Sequence, residues 1–323
     1  MLYNILGDTH GRDYWEKLVR EDCINVFTGD YFSPYDNIPF KKQVDVFTGI
    51  LSYKEKHPQT VMLRGNHDIG GYVLRPYNRD GKNTIEVNLI LKEHEGELQT
   101  AYSIENKALV THAGVSFIWY DKYKNMRPSK RVVDCSYDDP EEIVHPYTHE
   151  IVKVSNPVKF SDCKTPEEAH MRFYDHYYPQ YASGNKEPSD KQFLKWNNKL
   201  WQFDAETGKF DEFYITPDEL AKYINGLWNS GKYNTFSFDS NASSMDTYGM
   251  DERHGPLWIR PEALRHVNAF EYTDYWQIVG HTWVSYPYID YNMHIAYTDC
   301  LQYNVASLIY DSETNDFKIN KPN

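Results

Sequence analysis

The stretch LRGNHD, residues 63–68, runs from apolar residues straight into an arginine, a glycine, an amide, an imidazole and a carboxylate. Ordinary turn residues would be enough to end a strand at such a break, yet here four chemically able side chains fill the five positions after Leu63. The same pattern recurs along the chain. LYNIL (2–6) runs into Gly7-Asp8-Thr9-His10, INVFTGD closes on Gly29-Asp30, KALVTH closes on His112, and YWQIVGH closes on Gly280-His281. Five strand ends thus offer Asp8, His10, Asp30, Asn66, His112 and His281, a set of nitrogen and oxygen donors without a thiolate.

Asp8 and His10 are two apart, so an extended chain points both to one side. That suits a metal. If one carboxylate bridges, the six donors hold two divalent ions, and their chemistry fits manganese, iron or zinc better than calcium or Cu(I). Two ions roughly 3.5–4 Å apart hold a hydroxide and clamp phosphoryl oxygens, which makes a phosphoester the natural target. The neutral Asn66 leaves net positive charge on such a cluster, favouring phosphate and an acidic water. His67 follows a candidate ligand directly, so its side chain is turned elsewhere and free to act as general acid. His94, His145, His149, His170, His176 and His266 are read as structural residues.

These residues need a scaffold that brings strand ends together. Apolar strands alternate with helical patterns: Trp15, Leu18 and Val19 predict a helix over Arg12–Glu21, and another is expected from about Lys42 to Lys56. The alternation points to an α/β sheet, with ligands gathered beyond the carboxyl ends of the strands. Between Val115 and Gly255 the chain turns rich in Tyr, Trp, Lys and Asp, with loop-like pieces such as ASGNKEPSD and DSNASSMD. Residues 117–255 are therefore read as an insertion, mostly helical, that caps the site of a core formed by residues 1–116 and 256–323.

Composition narrows the partners. The 323 residues carry a formal net charge of −13 and no long basic run, which argues against general nucleic-acid binding. An anionic substrate needs locally placed cations, and bound metals can supply them. Cys23, Cys135, Cys163 and Cys300 are scattered and form no CxxC pair. No stretch reaches 18 apolar residues and no leader pattern opens the chain, so a cytoplasmic protein without membrane contact is expected.

GDTHG (7–11), GD (29–30), LRGNHD (63–68), THAG (111–114) and VGHT (279–282) resemble, in order, the signature motifs of the calcineurin-like metallophosphoesterases, and most of all those of the phosphoprotein phosphatase branch with its bacterial and phage members. The resemblance implies a two-sheet β-sandwich core flanked by helices. It also implies that Asp8, His10 and Asp30 hold one metal while Asp30, Asn66, His112 and His281 hold the other, with His67 as proton donor. PLWIRP (256–261) is similar to the segment whose arginine binds substrate phosphate, which would make Arg260 that residue.

One departure stands out. The family usually reads GDxxDRG at the second motif, and here Ser33 and Pro34 replace the aspartate that orients the acid and the arginine that grips phosphate. Asp36 or Asp68 would then orient His67, and Arg12, Arg64 or Arg75 would replace the cation. The expected activity is hydrolysis of phosphomonoesters, with phosphoserine or phosphothreonine of proteins as the first substrate class, by attack of a metal-bridging hydroxide; manganese is the first metal to try in vitro. Two alternatives stay open: a nucleotide or dinucleoside polyphosphate hydrolase, and a non-catalytic binding protein that retains the fold.

Overall fold

Period-two alternation in three short strands decides how the core is layered. The structure, a computed structural model, describes residues 1–73, 83–124, 131–144, 149–178, 192–241, 246 and 248–322; Arg75, His145 and the loop 182–190 lie outside them. β1 (Leu2–Leu6), β2 (Ile24–Phe27) and β3 (Val61–Leu63) are parallel neighbours. Successive residues face opposite sides, so Tyr3, Ile5, Val26, Val61 and Leu63 enter one apolar cluster and Leu6, Phe27 and Met62 another. The second cluster is covered by α1 (Phe40–Lys56) and α2 (Thr84–Glu93), through Val46, Phe47, Ile50, Val87 and Leu91.

β4 (Leu98–Gln99) closes the edge of this sheet, and β5 (Ala101–Ile104) and β6 (Ala108–Thr111) begin a second one. After α3 (Phe117–Lys124) the chain enters a separate compact unit, Asn125–Tyr214. Its elements are β7 (Arg131–Asp134), β8 (Glu142–Val144), β9 (Ile151–Lys153), α4 (Pro166–Tyr177), β10 (Gln192–Trp196), β11 (Lys199–Asp204) and β12 (Lys209–Glu212). The first unit, Met1–Lys124 with Ile215–Asn323, resumes with α5 (Pro217–Asn229), α6 (Pro261–Val267), β13 (Trp276–Val279), β14 (Tyr288–Asp290), β15 (Ile295–Tyr297), β16 (Ser307–Asp311) and β17 (Asp316–Asn320). Residues 117–124 and 215–255 therefore belong with the first unit, and the separate unit is narrower than the stretch 117–255.

The first unit holds a six-stranded sheet, β17-β16-β1-β2-β3-β4, and a five-stranded sheet, β14-β15-β13-β6-β5. Their facing sides share one core: Tyr3, Ile5 and Leu308 from one sheet meet Val110, Ile278 and Ala296 from the other. Ile278 is fully buried there, and truncation to alanine would cost about 2–5 kcal/mol. α5 packs on β5 and β6. It starts at a capping box, in which Thr216 accepts from the Glu219 amide while Glu219 accepts from the Thr216 amide.

Two expectations need adjusting. The helix read over Arg12–Glu21 is a short 3-10 turn, Asp13–Lys17. Asn4 and Asn320 both donate side-chain amides to the Leu18 carbonyl, and the Arg20 amide donates to Asn25 Oδ1, so groups that would extend a helix are already engaged. Between 117 and 255 the described residues include the helices α3, α4 and α5 and also the strands β7 to β12. β10 and β11 form a hairpin because Asn197 and Asn198 adopt φ of 52° and 53°, the left-handed pair that a tight two-residue turn requires. No helix among the described residues is long and apolar enough to cross a membrane.

Candidate metal centre

β1, β2 and β3 are parallel and in register, as are β6 and β13, so their carboxyl ends are brought level: Leu6 lies opposite Phe27, Phe27 opposite Met62, and Thr111 opposite Val279. The turns that follow carry the polar residues. Three of them sit in left-handed backbone that few non-glycine residues adopt, His10 at φ 45°, Asp30 at 52° and His281 at 61°. Such strain persists only where the surroundings hold it, and it collects at functional sites. Two glycines permit the close approach. A Cβ on Gly65 would stand 2.0 Å from Asp30 Oδ1, and one on Gly280 would stand 2.3 Å from Asp8 Oδ1.

Asp8, Asp30 and His112, all buried, place ligand atoms within 4.8 Å of one another. Asp30 is central: its Oδ2 is 3.4 Å from His112 Nε2, 3.8 Å from His10 Nε2 and 3.9 Å from His67 Nε2, while its Oδ1 accepts from the His67 amide at 2.9 Å. Asn66 Oδ1 is 2.8 Å from His112 Nε2. His281 joins through its backbone, whose amide donates to Asp8 Oδ2 at 3.0 Å, and its ring is 5.0 Å from that of His112. All six candidate donors thus gather at one end of the two sheets.

The chemistry of these donors fits a cation. His10 Nδ1 is 2.7 Å from the Phe32 carbonyl and His112 Nδ1 is 3.0 Å from the Thr28 carbonyl. A carbonyl only accepts, so each Nδ1 carries the proton and each neutral ring turns a lone pair, at Nε2, towards the carboxylates. His112 Nε2 then faces Asn66 Oδ1, acceptor to acceptor, and His281 Nε2 is buried with no hydrogen-bond partner. Burial, with Asp299 and Asp30 nearby, holds the Asp8 carboxyl well above the usual carboxylate range, and burial beside Asp68 does the same to Asp30. Burial also pushes His112 down to about 3 and His281 well below the usual imidazole range. Anions crowded against neutral lone pairs are poorly placed by themselves and well placed around a divalent ion.

Arg260 is fixed at the rim as the N-cap residue of α6. Its Nε donates to the Tyr248 carbonyl at 3.1 Å, and Nη1 donates to the His281 carbonyl at 3.0 Å and to Thr282 Oγ1 at 3.1 Å. Nη2 has no partner among the described residues. The loop beneath is organised by Asp246, which accepts backbone amides of Tyr248, Gly249, Met250 and Asp251 and lies 2.9 Å from His254 Nε2.

The remaining candidates separate. Asp68 accepts amides of Asp30 at 2.7 Å, Gly65 at 2.8 Å and Tyr31 at 3.2 Å, so it pins the turn that carries Asp30. Asp36, half-exposed, pairs with Arg12 Nη2 at 2.5 Å; the Arg12 side chain is buried and its Nη1 has no hydrogen-bond partner. Arg64 donates to the Glu95 carbonyl and lies 4.4 Å over the Trp228 ring, which occupies it on the helical side. Asp299 was missed. It is buried just past β15, which pairs parallel with β13, and burial raises its carboxyl to about 7 against the pull of Arg12 and Arg260. The strand-end pattern that singled out the other donors is present in IAYTD (295–299) and would have found it.

A sequence profile of the calcineurin-like phosphoesterases matches residues 1–184, more than half of the chain. The chain belongs to that family. In this calcineurin-like phosphoesterase, Asp8, Asp30 and His112 form a group that could hold a metal ion. Among solved structures it is similar to a protein serine/threonine phosphatase from Saccharomyces cerevisiae with similarity to human phosphatase PP5, at 22% identity over 36% of this chain and 38% of that one, TM-score 0.28. The match thus spans less than half of that phosphatase. It is also similar to a cold-active protein-tyrosine phosphatase of a psychrophilic Shewanella species, at 14% identity over 99% of this chain and 80% of that one, TM-score 0.43. A comparison with curated proteins gives no match.

Proposed function

We propose that this calcineurin-like phosphoesterase is a dinuclear phosphomonoesterase in which Asp8, His10 and Asp30 hold one ion, Asp30, Asn66, His112 and His281 hold the other, and Asp30 is shared. The single observation that carries this is the position of Asp30 Oδ2, within 4 Å of Nε2 atoms of both His10 and His112, whose Nδ1 atoms are engaged by carbonyls. Divalent ions held there supply Lewis-acid stabilisation of the phosphoryl oxygens and acidify a water; manganese is the metal to add first.

The chain's own residues do the rest. Arg260 offers Nη2 to a phosphoryl oxygen while its other nitrogens are tied to carbonyls and Thr282, so little freedom is lost on binding. Arg12, with a buried Nη1 open, adds a second guanidinium in place of the arginine absent at position 34. His67 is held by its amide on Asp30 and protonates the departing alkoxide. Asp36 holds the Arg12 guanidinium, and Asp68 acts by fixing the turn of Asp30.

The test is hydrolysis of p-nitrophenyl phosphate and of a poor-leaving-group alkyl phosphate by chelator-stripped protein, before and after manganese, with His67→Ala alongside. Activity returns with metal. The mutant loses about 10²–10⁴-fold on the alkyl ester and less on p-nitrophenyl phosphate, whose leaving group needs no proton. Equal losses on both esters would remove His67 from the role of acid.

A further inference from the structure

The segment that replaced the family's aspartate and arginine brought something else to the site. Tyr35, directly after Ser33-Pro34, lies with its ring centroid 5.4 Å from that of His10 and 6.5 Å from that of His67. On its other side it meets Trp283, two residues past His281, at 4.7 Å and 87°. Trp283 in turn is 6.2 Å from Tyr303. Three rings therefore lead outward from the acid and a metal ligand. The outer two keep free surface, Trp283 being 42% exposed and Tyr303 56% exposed.

Tyr35 could be explained as packing that seals an altered loop. That account leaves Trp283 and Tyr303 unexplained, since both keep exposed surface while they continue the chain of ring contacts from Tyr35. The ledge is also built to stay in place. The Val284 amide donates to the Asp299 carbonyl at 2.9 Å, and Asn304 Nδ2 donates to the Ser285 carbonyl at 2.6 Å, tying the loop after β13 to the loop after β15.

We propose that Tyr35, Trp283 and Tyr303 form a base-binding subsite and that the substrate's leaving group is a nucleoside. The inference rests on the phosphomonoesterase reading and adds the class of ester. An aryl phosphate carries its ring directly on the ester oxygen and would reach Tyr35 alone; a nucleoside 5′-phosphate carries its base one ribose further out, where the exposed faces are. Aromatic stacking tolerates any base, because each has a π-face. Water attacks phosphorus, the bond from phosphorus to the 5′ oxygen breaks, His67 gives that oxygen its proton, and the products are the nucleoside and inorganic phosphate.

The experiment compares kcat/KM for AMP, ribose 5-phosphate, phosphotyrosine and phosphoserine in manganese-loaded protein, for the wild type, Trp283→Ala and Tyr303→Ala. Quenching of tryptophan fluorescence by AMP and by ribose 5-phosphate is read in parallel on metal-stripped protein. AMP is expected to exceed ribose 5-phosphate by roughly 10-fold or more, through KM, with the preference lost in Trp283→Ala and reduced in Tyr303→Ala; AMP quenches and ribose 5-phosphate does not. Equal kcat/KM for AMP and ribose 5-phosphate overturns the proposal, as does a preference for phosphotyrosine over AMP that Trp283→Ala abolishes. If no ester is hydrolysed but AMP still quenches through Trp283, the subsite stands and the hydrolytic reading falls.

Discussion

Asp30 in the first unit and Asp139 in the second are both aspartates within 4 Å of a histidine ring nitrogen, and their environments pull them in opposite directions. Asp139 is partly exposed; it accepts from the Tyr177 hydroxyl and the Val158 amide, and these bonds, the hydroxyl first, hold its carboxyl below the usual range. Asp30 is buried beside Asp68, and its carboxyl is held well above that range. The chain itself stabilises one anion. The other is an anion in search of a cation, although the sequence writes both with the same letter. Between these two the direction of the shift follows burial and the bonds the chain supplies to the charged form.

The sharpest way to break this contrast is to neutralise each. Asp30→Asn is predicted to lower manganese-supported kcat/KM on p-nitrophenyl phosphate by at least about 10³-fold, while Asp139→Asn stays within about 2-fold; similar losses in both would dissolve the distinction. Next in size is Asp68→Asn. It sets an amide donor against backbone amides that now meet a carboxylate, and a cost of about 2–3 kcal/mol is predicted from urea unfolding; an unchanged midpoint would mean that the turn carrying Asp30 does not depend on it.

A smaller effect is predicted for metal-free protein as pH changes. Burial raises Asp68 to about 6 and Asp299 to about 7, with Asp8 and Asp30 also raised. Between the unfolded carboxylate range near pH 4 and those values, the folded state binds more protons than the unfolded state. Their contribution to stability therefore falls as pH rises through that window. Added manganese relieves the crowding, so the gain in Tm on adding metal should grow from pH 5 to pH 7.5; a constant or shrinking gain would contradict a cation-seeking cluster. Smallest is a change at the hairpin of the second unit, where Asn198→Ala removes the side-chain amide that makes left-handed backbone tolerable and should cost about 1 kcal/mol. Measured by chemical denaturation, no loss there would show that the turn tolerates another conformation.

Much of this first unit is legible in the sequence because its signal is local. LYNIL, VML and WQIV read as buried strands, and the polar break after each is the site itself. What stayed hidden depends on partners far along the chain. Nothing near Asp68 says that its oxygens will take the amides of Asp30 and Tyr31, or near Arg64 that its guanidinium will settle on Trp228. Tyr35 and Trp283 read separately as two more aromatics in a chain with 28 Tyr and 8 Trp. The helix over Arg12–Glu21 failed for the same reason, since Asn320, the last residue of β17, helps to take up the carbonyl of Leu18.

The hydrogen bond from the His281 amide to Asp8 has a consequence in time. Its partners are 273 positions apart in the chain, and β1 finds its antiparallel neighbour only when β16 exists. A ribosome that has released Asp8, His10, Asp30 and Asn66 has made most of a metal cradle but not its far wall. The nascent chain cannot make this bond until Gly280 and His281 have emerged. Asp8 therefore waits for this partner while the 273 positions that separate them are made.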